Sequence, residues 1–184
     1  MKIGVVGDTH IPDASFMLPA RIDDLFQGLD ILLHVGDVCD LSVLKELQET
    51  YTLTFAVWGE RDLPELRHYL EEQRVVRFGD RRVGMIHGHQ YRGSVTRIWD
   101  RLRQSLFGGS ATDALADYLL DRFASDDVHA IVFGHTHRPL VKMHKGVLLF
   151  NPGAALPGID VGPSVGILEV TRRSIAGRIV PLYD

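Results

Sequence analysis

The sequence predicts an α/β protein in which two sheets pack face to face with helices outside. Three observations carry this. Apolar runs alternate with amphipathic helical patterns at the start of the chain, the signature of a parallel α/β sheet. Short strands split by turn signals fill its end. Four apolar runs stop at Asp or His residues, and open α/β sheets collect their ligands at the carboxyl ends of strands.

Residues 2–6 form the first strand. Ile22, Leu25, Phe26 and Leu29 recur at i, i+3, i+4 and i+7, a helix that Pro19 can open. Residues 31–35 give a second strand. Asp40 suits an N-cap for a helix with Leu41, Leu44 and Leu47 inward. Residues 52–58 give a third strand, rich in Thr, Phe and Val.

Beyond it the pattern shifts. Residues 74–78 and 81–86 read as strands joined around Gly79-Asp80 in a hairpin. Residues 139–143, 147–150, 165–170 and 175–182 are strands again, which predicts antiparallel pairing in the second half. A helical excursion at about 91–126 separates the two groups. Ile98, Leu102 and Leu106 lie on one helical face, and Leu115, Leu119 and Phe123 on another. Gly108-Gly109 parts the two helices, and Ser110 with Asp113 offers the second a capping box. Arg92, Arg97, Arg101 and Arg103 read as a solvated basic face, or as a rim that holds an anionic substrate.

A chain of 184 residues suits a single domain, 1–184. With 45% hydrophobic and 24% charged residues it is of ordinary globular composition. Its net charge of −4 argues against a dedicated nucleic-acid binder, which would show a basic excess. No apolar run nears the roughly 20 residues a membrane span needs. Met1-Lys2 leads directly into strand-like sequence, so a cytoplasmic protein is expected. One cysteine, Cys39, allows no disulfide framework. It reads as a buried, inert thiol, with a thiolate ligand as the alternative.

The chemistry sits at the strand ends. Ile3-Gly4-Val5-Val6 runs into Gly7-Asp8-Thr9-His10, and residues 31–35 into Gly36-Asp37. Val83-Gly84-Met85-Ile86 runs into His87-Gly88-His89, and residues 130–133 into Gly134-His135-Thr136-His137. One His-x-His is weak; four strand ends carrying Asp and His predict a shared metal-type pocket.

With Gly59-Glu60-Arg61-Asp62 and Asn151-Pro152-Gly153, these motifs stand in the order of the calcineurin-like metallophosphoesterases. The chain resembles their small bacterial and archaeal phosphodiesterase branch from residue 2 to about 180. The resemblance implies a four-layer α/β/β/α sandwich of two mixed sheets around a dinuclear metal site. By motif, Asp8, His10 and His137 would hold one divalent ion. Asp37 would bridge, and His87, His135 and residue 60 would hold the other. His89 is not expected to be a direct ligand. A carboxylate suits the bridge between ions about 3.5–4 Å apart, and such a pair acidifies a shared water to an attacking hydroxide. Imidazole and carboxylate donors suit manganese, iron, zinc or nickel, with Mn2+ the expected ion.

One motif departs from the family. Glu60 replaces a neutral Asn ligand, and Arg61 replaces the His that in many relatives acts near the leaving group. Arg stays protonated, so Arg61 can bind phosphate but cannot serve as a general acid. Glu60 is expected to ligate the second ion while Arg61 takes part of the phosphate binding; the alternative is a Glu60 that points away into an ion pair. His34 reads as a satisfied core residue, and His68, His129 and His144 match no motif. Ser94 and Thr96 have no visible base partner, so a hydroxyl nucleophile lacks support.

The expected function is metal-dependent hydrolysis of a small organic or nucleotide phosphodiester. The alternatives are a phosphomonoesterase or nuclease of the same superfamily, or a non-catalytic protein-binding scaffold, since a retromer subunit shares the fold. Self-association into a homo-oligomer is plausible by the same resemblance.

Overall fold

The computed structural model describes residues 1–11, 18–91, 111–156 and 162–183. The chain opens as β1 (Lys2–Val6), α1 (Arg21–Phe26), β2 (Ile31–His34), α2 (Leu41–Thr50) and β3 (Leu53–Ala56). β1, β2 and β3 pair in parallel, as the alternating pattern predicts. After α3 (Pro64–Tyr69), β4 (Gln73–Phe78) and β5 (Arg81–Ile86) form the expected hairpin. α4 (Ala111–Arg122) leads to β6 (Ala130–Phe133), β7 (Leu140–His144), β8 (Val147–Asn151), β9 (Ser164–Val170) and β10 (Ile175–Pro181).

Two five-stranded sheets result, ordered β10-β9-β1-β2-β3 and β4-β5-β6-β8-β7. The expected split between a parallel first half and an antiparallel second half is corrected. β5, β6 and β8 pair in parallel, with β4 and β7 as antiparallel edges. The reason is the long connection between β5 and β6, which permits a crossover where a short turn would force a hairpin. β9 and β10 return to the first sheet and pair antiparallel beside β1.

Three apolar slabs set four layers. Ile22, Phe26 and Leu44 pack with Val6 and Leu32 between the first helices and the first sheet. Val5, Leu33, Val83, Met85, Val132 and Phe150 fill the space between the sheets. Leu119 and Phe123 of α4 pack on Ile86, Ile131 and Phe133 on the outer face of the second sheet. Neighbouring residues such as Val5 and Val6 face different slabs, so both faces of each central strand are buried. That is why these strands read as continuous apolar runs.

The helices follow their local signals with small departures. The Asp40 carboxylate accepts the Ser42 N–H at 2.8 Å and caps α2. α1 stops at Phe26 rather than reaching Leu29, and Gly28 turns the chain at φ 76°. α3 has no counterpart in the sequence pattern: it is six residues long and buries only Leu66 fully, too little for a periodic signal. The pattern at 98–106, the Arg face at 92–103 and Ser110 of the capping box lie outside the described residues.

Candidate metal centre

The loops after β1, β2, β5 and β6 meet at one pole, where the strands end. Each turns sharply. Asp8, His10, Asp37, His135 and His137 all have positive φ, between 47° and 64°. Asp and His tolerate this region better than most residues, yet each such position is strained by roughly 1–3 kcal/mol. Bonds between the loops offset the strain. Asp8 N–H donates to the Gly36 carbonyl and His10 N–H to the Asp37 carbonyl, both at 3.0 Å. His135 N–H donates to the Asp8 carboxylate, and Gly134 N–H to the His87 carbonyl.

The strained loops bring two sets of donor atoms together: Asp8, His10 and His137, and Asp8, Asp37 and His87. His137 Nε2 lies 3.3 Å from Asp8 Oδ1 and 3.2 Å from His10 Nε2. Asp37 Oδ2 stands between the sets, 3.4 Å from His87 Nε2 and 3.8 Å from His10 Nε2. His135 and Glu60 form a looser pair at the open side, Nδ1 to Oε2 at 3.9 Å. The Glu60 side chain is 64% exposed and belongs to neither close set. Arg61 is exposed, and its backbone N–H donates to Asp37 Oδ1 at 2.7 Å.

Two features test whether these residues fit a cation. His87 is fully buried, and its Nδ1 lies 2.8 Å from the Val35 carbonyl. Nδ1 therefore carries the proton in the neutral ring, and the lone pair of Nε2 points at Asp37 and Asp8. No hydrogen bond satisfies Nε2 among the described residues. A buried nitrogen facing two carboxylates calls for something positive between them, a proton in the metal-free chain or a cation in its place. The Nε2 atoms of His10 and His137 also converge beside Asp8, at 3.2 Å from one another. The donor set fits a hard or borderline divalent ion.

Burial and the two carboxylates push the proton affinities of these groups in opposite directions. Burial would raise the Asp37 carboxyl, but the His87 imidazole and the Arg61 amide hold it well below the usual carboxylate range. Burial pushes His10 and His135 down, toward the neutral form a ligand needs. Asp8 and Asp37 outweigh burial at His87 and raise it, and the Asp8 carboxylate raises His137. His89 packs its ring against His87 at 5.3 Å and Trp58 at 5.0 Å, joins neither donor set, and is pushed by burial to about 4.

Several supports had no role in the sequence reading. Asp62 accepts the N–H of Gly59 at 2.6 Å, of Cys39 at 2.6 Å and of Asp37 at 3.2 Å. Its position three residues after Gly59, closing the motif, was the available signal. Gly59 has no alternative, because a Cβ there would meet Asp37 Oδ1 at 2.3 Å. Arg67 ties down the Glu60 and Asp62 carbonyls and stacks over Trp58. Asn151 holds the Gly134 carbonyl and accepts Gly153 N–H.

The profile of the calcineurin-like phosphoesterase superfamily domain matches residues 1–173. The chain belongs to the calcineurin-like phosphoesterase superfamily. A probable metallophosphoesterase of Methanothermobacter thermautotrophicus is 31% identical over 98% of this chain and 92% of its own. A phosphodiesterase of Methanocaldococcus jannaschii is 24% identical over 94% and 95%. Among solved structures, Vps29 of Chaetomium thermophilum superposes with a TM-score of 0.73 at 21% identity, covering 98% and 97%. A novel archaeal phosphodiesterase superposes at 0.65 and 21%, covering 98% and 100%. At these identities the structural likenesses establish the calcineurin-like phosphoesterase fold alone.

Proposed function

We propose that the chain is a metal-dependent phosphodiesterase acting on small organic or nucleotide phosphodiesters. The observation that carries the reading is the convergence of two donor sets on Asp8, with the fully buried His87 turning its Nε2 toward both Asp8 and Asp37. Asp8, His10 and His137 would hold one divalent ion. His87, with His135 and Glu60 at the open side, would hold a second, and Asp37 would reach both. Bound there, two divalent ions, with Mn2+ the proposed pair, supply the Lewis acidity that activates water and neutralises phosphoryl oxygens.

The chain's own residues do the rest. The left-handed loops fix the donors before substrate arrives, so little reorganisation is needed at reaction. Arg61 is exposed beside Asp37, and its guanidinium would bind phosphate. It cannot protonate a leaving group, and esters with good leaving groups are therefore favoured. The phosphodiesterase name of the M. jannaschii relative supports the diester preference.

A second reading, a protein-binding scaffold, draws support from the fold shared with Vps29. One experiment separates them. Metal-stripped protein is assayed on phosphomonoesters, phosphodiesters and nucleotides with and without Mn2+. The expected result is Mn2+-dependent turnover, faster on aryl than on alkyl diesters. A chain that binds Mn2+ yet hydrolyses none of the panel overturns the enzymatic reading, and equal aryl and alkyl rates overturn the role given to Arg61.

A further inference from the structure

Two histidines at this pole are fully buried, and they are used in opposite ways. His87 hydrogen-bonds through Nδ1 alone and turns Nε2 toward the two carboxylates. His34, the last residue of β2, uses both ring nitrogens. Gly36 N–H points at His34 Nδ1 at 3.2 Å. A backbone amide can only donate, so Nδ1 is bare and the neutral ring carries its proton on Nε2. Nε2 lies 3.2 Å from Thr9 Oγ1, which must therefore accept. The Thr9 hydroxyl proton is then free to go to the Asp37 carbonyl, also at 3.2 Å. That carbonyl already receives His10 N–H.

We infer that His34, acting through Thr9, is a positioning residue for Asp37: a relay of fixed direction that locks the shared carboxylate's backbone in its left-handed turn. Asp37 sits at φ 55°, a strained conformation for a residue with a Cβ, directly after Gly36, which turns at φ 97°. The relay grips both, one by its N–H and the other by its carbonyl. It also ties the β2 loop to the β1 loop between Asp8 and His10. Burial keeps His34 neutral, with its pKa pushed down to about 4, so the relay's direction holds at ordinary pH. A leucine at position 34 would fill the same space and leave the Gly36 amide buried without an acceptor.

The inference rests on the proposed metal-binding reading, and its test is metal uptake. Thr9→Val keeps the shape and removes the hydroxyl; Thr9→Ser restores it. Metal-free proteins are titrated with Mn2+ by calorimetry and followed by electron paramagnetic resonance, which distinguishes a coupled ion pair from isolated ions. Thermal melts establish folding, and Thr9→Ala replaces Thr9→Val should that variant not fold. We expect wild type and Thr9→Ser to take up two coupled ions. Thr9→Val should lose roughly 10- to 100-fold in affinity for one of them, the scale typical of groups that orient ligands, and lose the coupling. A folded Thr9→Val with wild-type affinity and coupling overturns the inference. So does a Thr9→Ser that loses as much as Thr9→Val, since packing and not the hydroxyl would then matter. A wild-type chain that takes up no Mn2+ overturns the proposed function instead.

Discussion

Gly59 and Glu60 sit side by side and answer different questions. A methyl group at Gly59 would meet the Asp37 carboxylate and its amide nitrogen at 2.3 and 2.4 Å. The amide cannot move without losing its bond to Asp62, nor the carboxylate without losing the one from the Arg61 N–H. Gly59→Ala is therefore expected to destabilise the fold by about 1–3 kcal/mol, the usual range for overpacking, read by urea unfolding. Glu60 is open, and its substitution tests ligation rather than stability. Glu60→Asn should weaken one Mn2+ by roughly tenfold or more and spare the other, measured by calorimetric titration. Binding as tight as wild type would show that the carboxylate is not an important ligand. The donors themselves were legible in sequence because each follows an apolar run and the runs recur. Asp62 had only its place three residues after Gly59 as a signal, and Arg67 and His34 had no motif, since all three act on backbone atoms that only the folded loops bring within reach. His34 looked like core from its apolar neighbours, and burial is indeed what it shows; the relay it makes needs the neighbouring loop in place to be seen.

Among the elements, those with a complete local signal were readable and those without were not. α2 has both a capping Asp and a leucine stripe, and it forms where these indicate. Removing the cap tests how much it contributes. The Asp40 carboxylate accepts both the N–H and the hydroxyl of Ser42, and these bonds lower its pKa. Asp40→Ala should lower stability by about 1 kcal/mol, seen as a shifted urea midpoint with unchanged slope. α3 has a proline at its first position but too few turns to show a face. Strand existence was readable everywhere, strand direction only in part. Hairpins declare themselves by short turns. β8 runs parallel to β6 only because β7 intervenes between them, which composition does not encode.

Across the whole molecule, acid acts through histidines packed at one pole, and their signs differ. Burial depresses His34 to about 4, and His10, His89 and His135 are also lowered. Each binds its proton more readily in the unfolded chain, so its contribution is complete above pH 6.5 and is lost as pH falls through the folded value. His87 and His137 are raised, and theirs is present below pH 6.5 and fades as pH rises. His34 is wholly enclosed, and a ring kept neutral down to about pH 4 contributes about 3 kcal/mol. The lowered group should win. Metal-free protein is expected to lose thermal stability steadily from pH 7 to pH 5, measured by melts in EDTA. His34→Gln, which has no proton to gain there, should flatten that slope. Bound ions would steepen it, because each imidazole donor must be unprotonated to hold one. At 100 times its dissociation constant a single ion adds about 2.7 kcal/mol. Mn2+ should therefore raise the melting temperature at pH 7 and do far less at pH 5. An equal rise at both values would mean that the ion is held without the histidines.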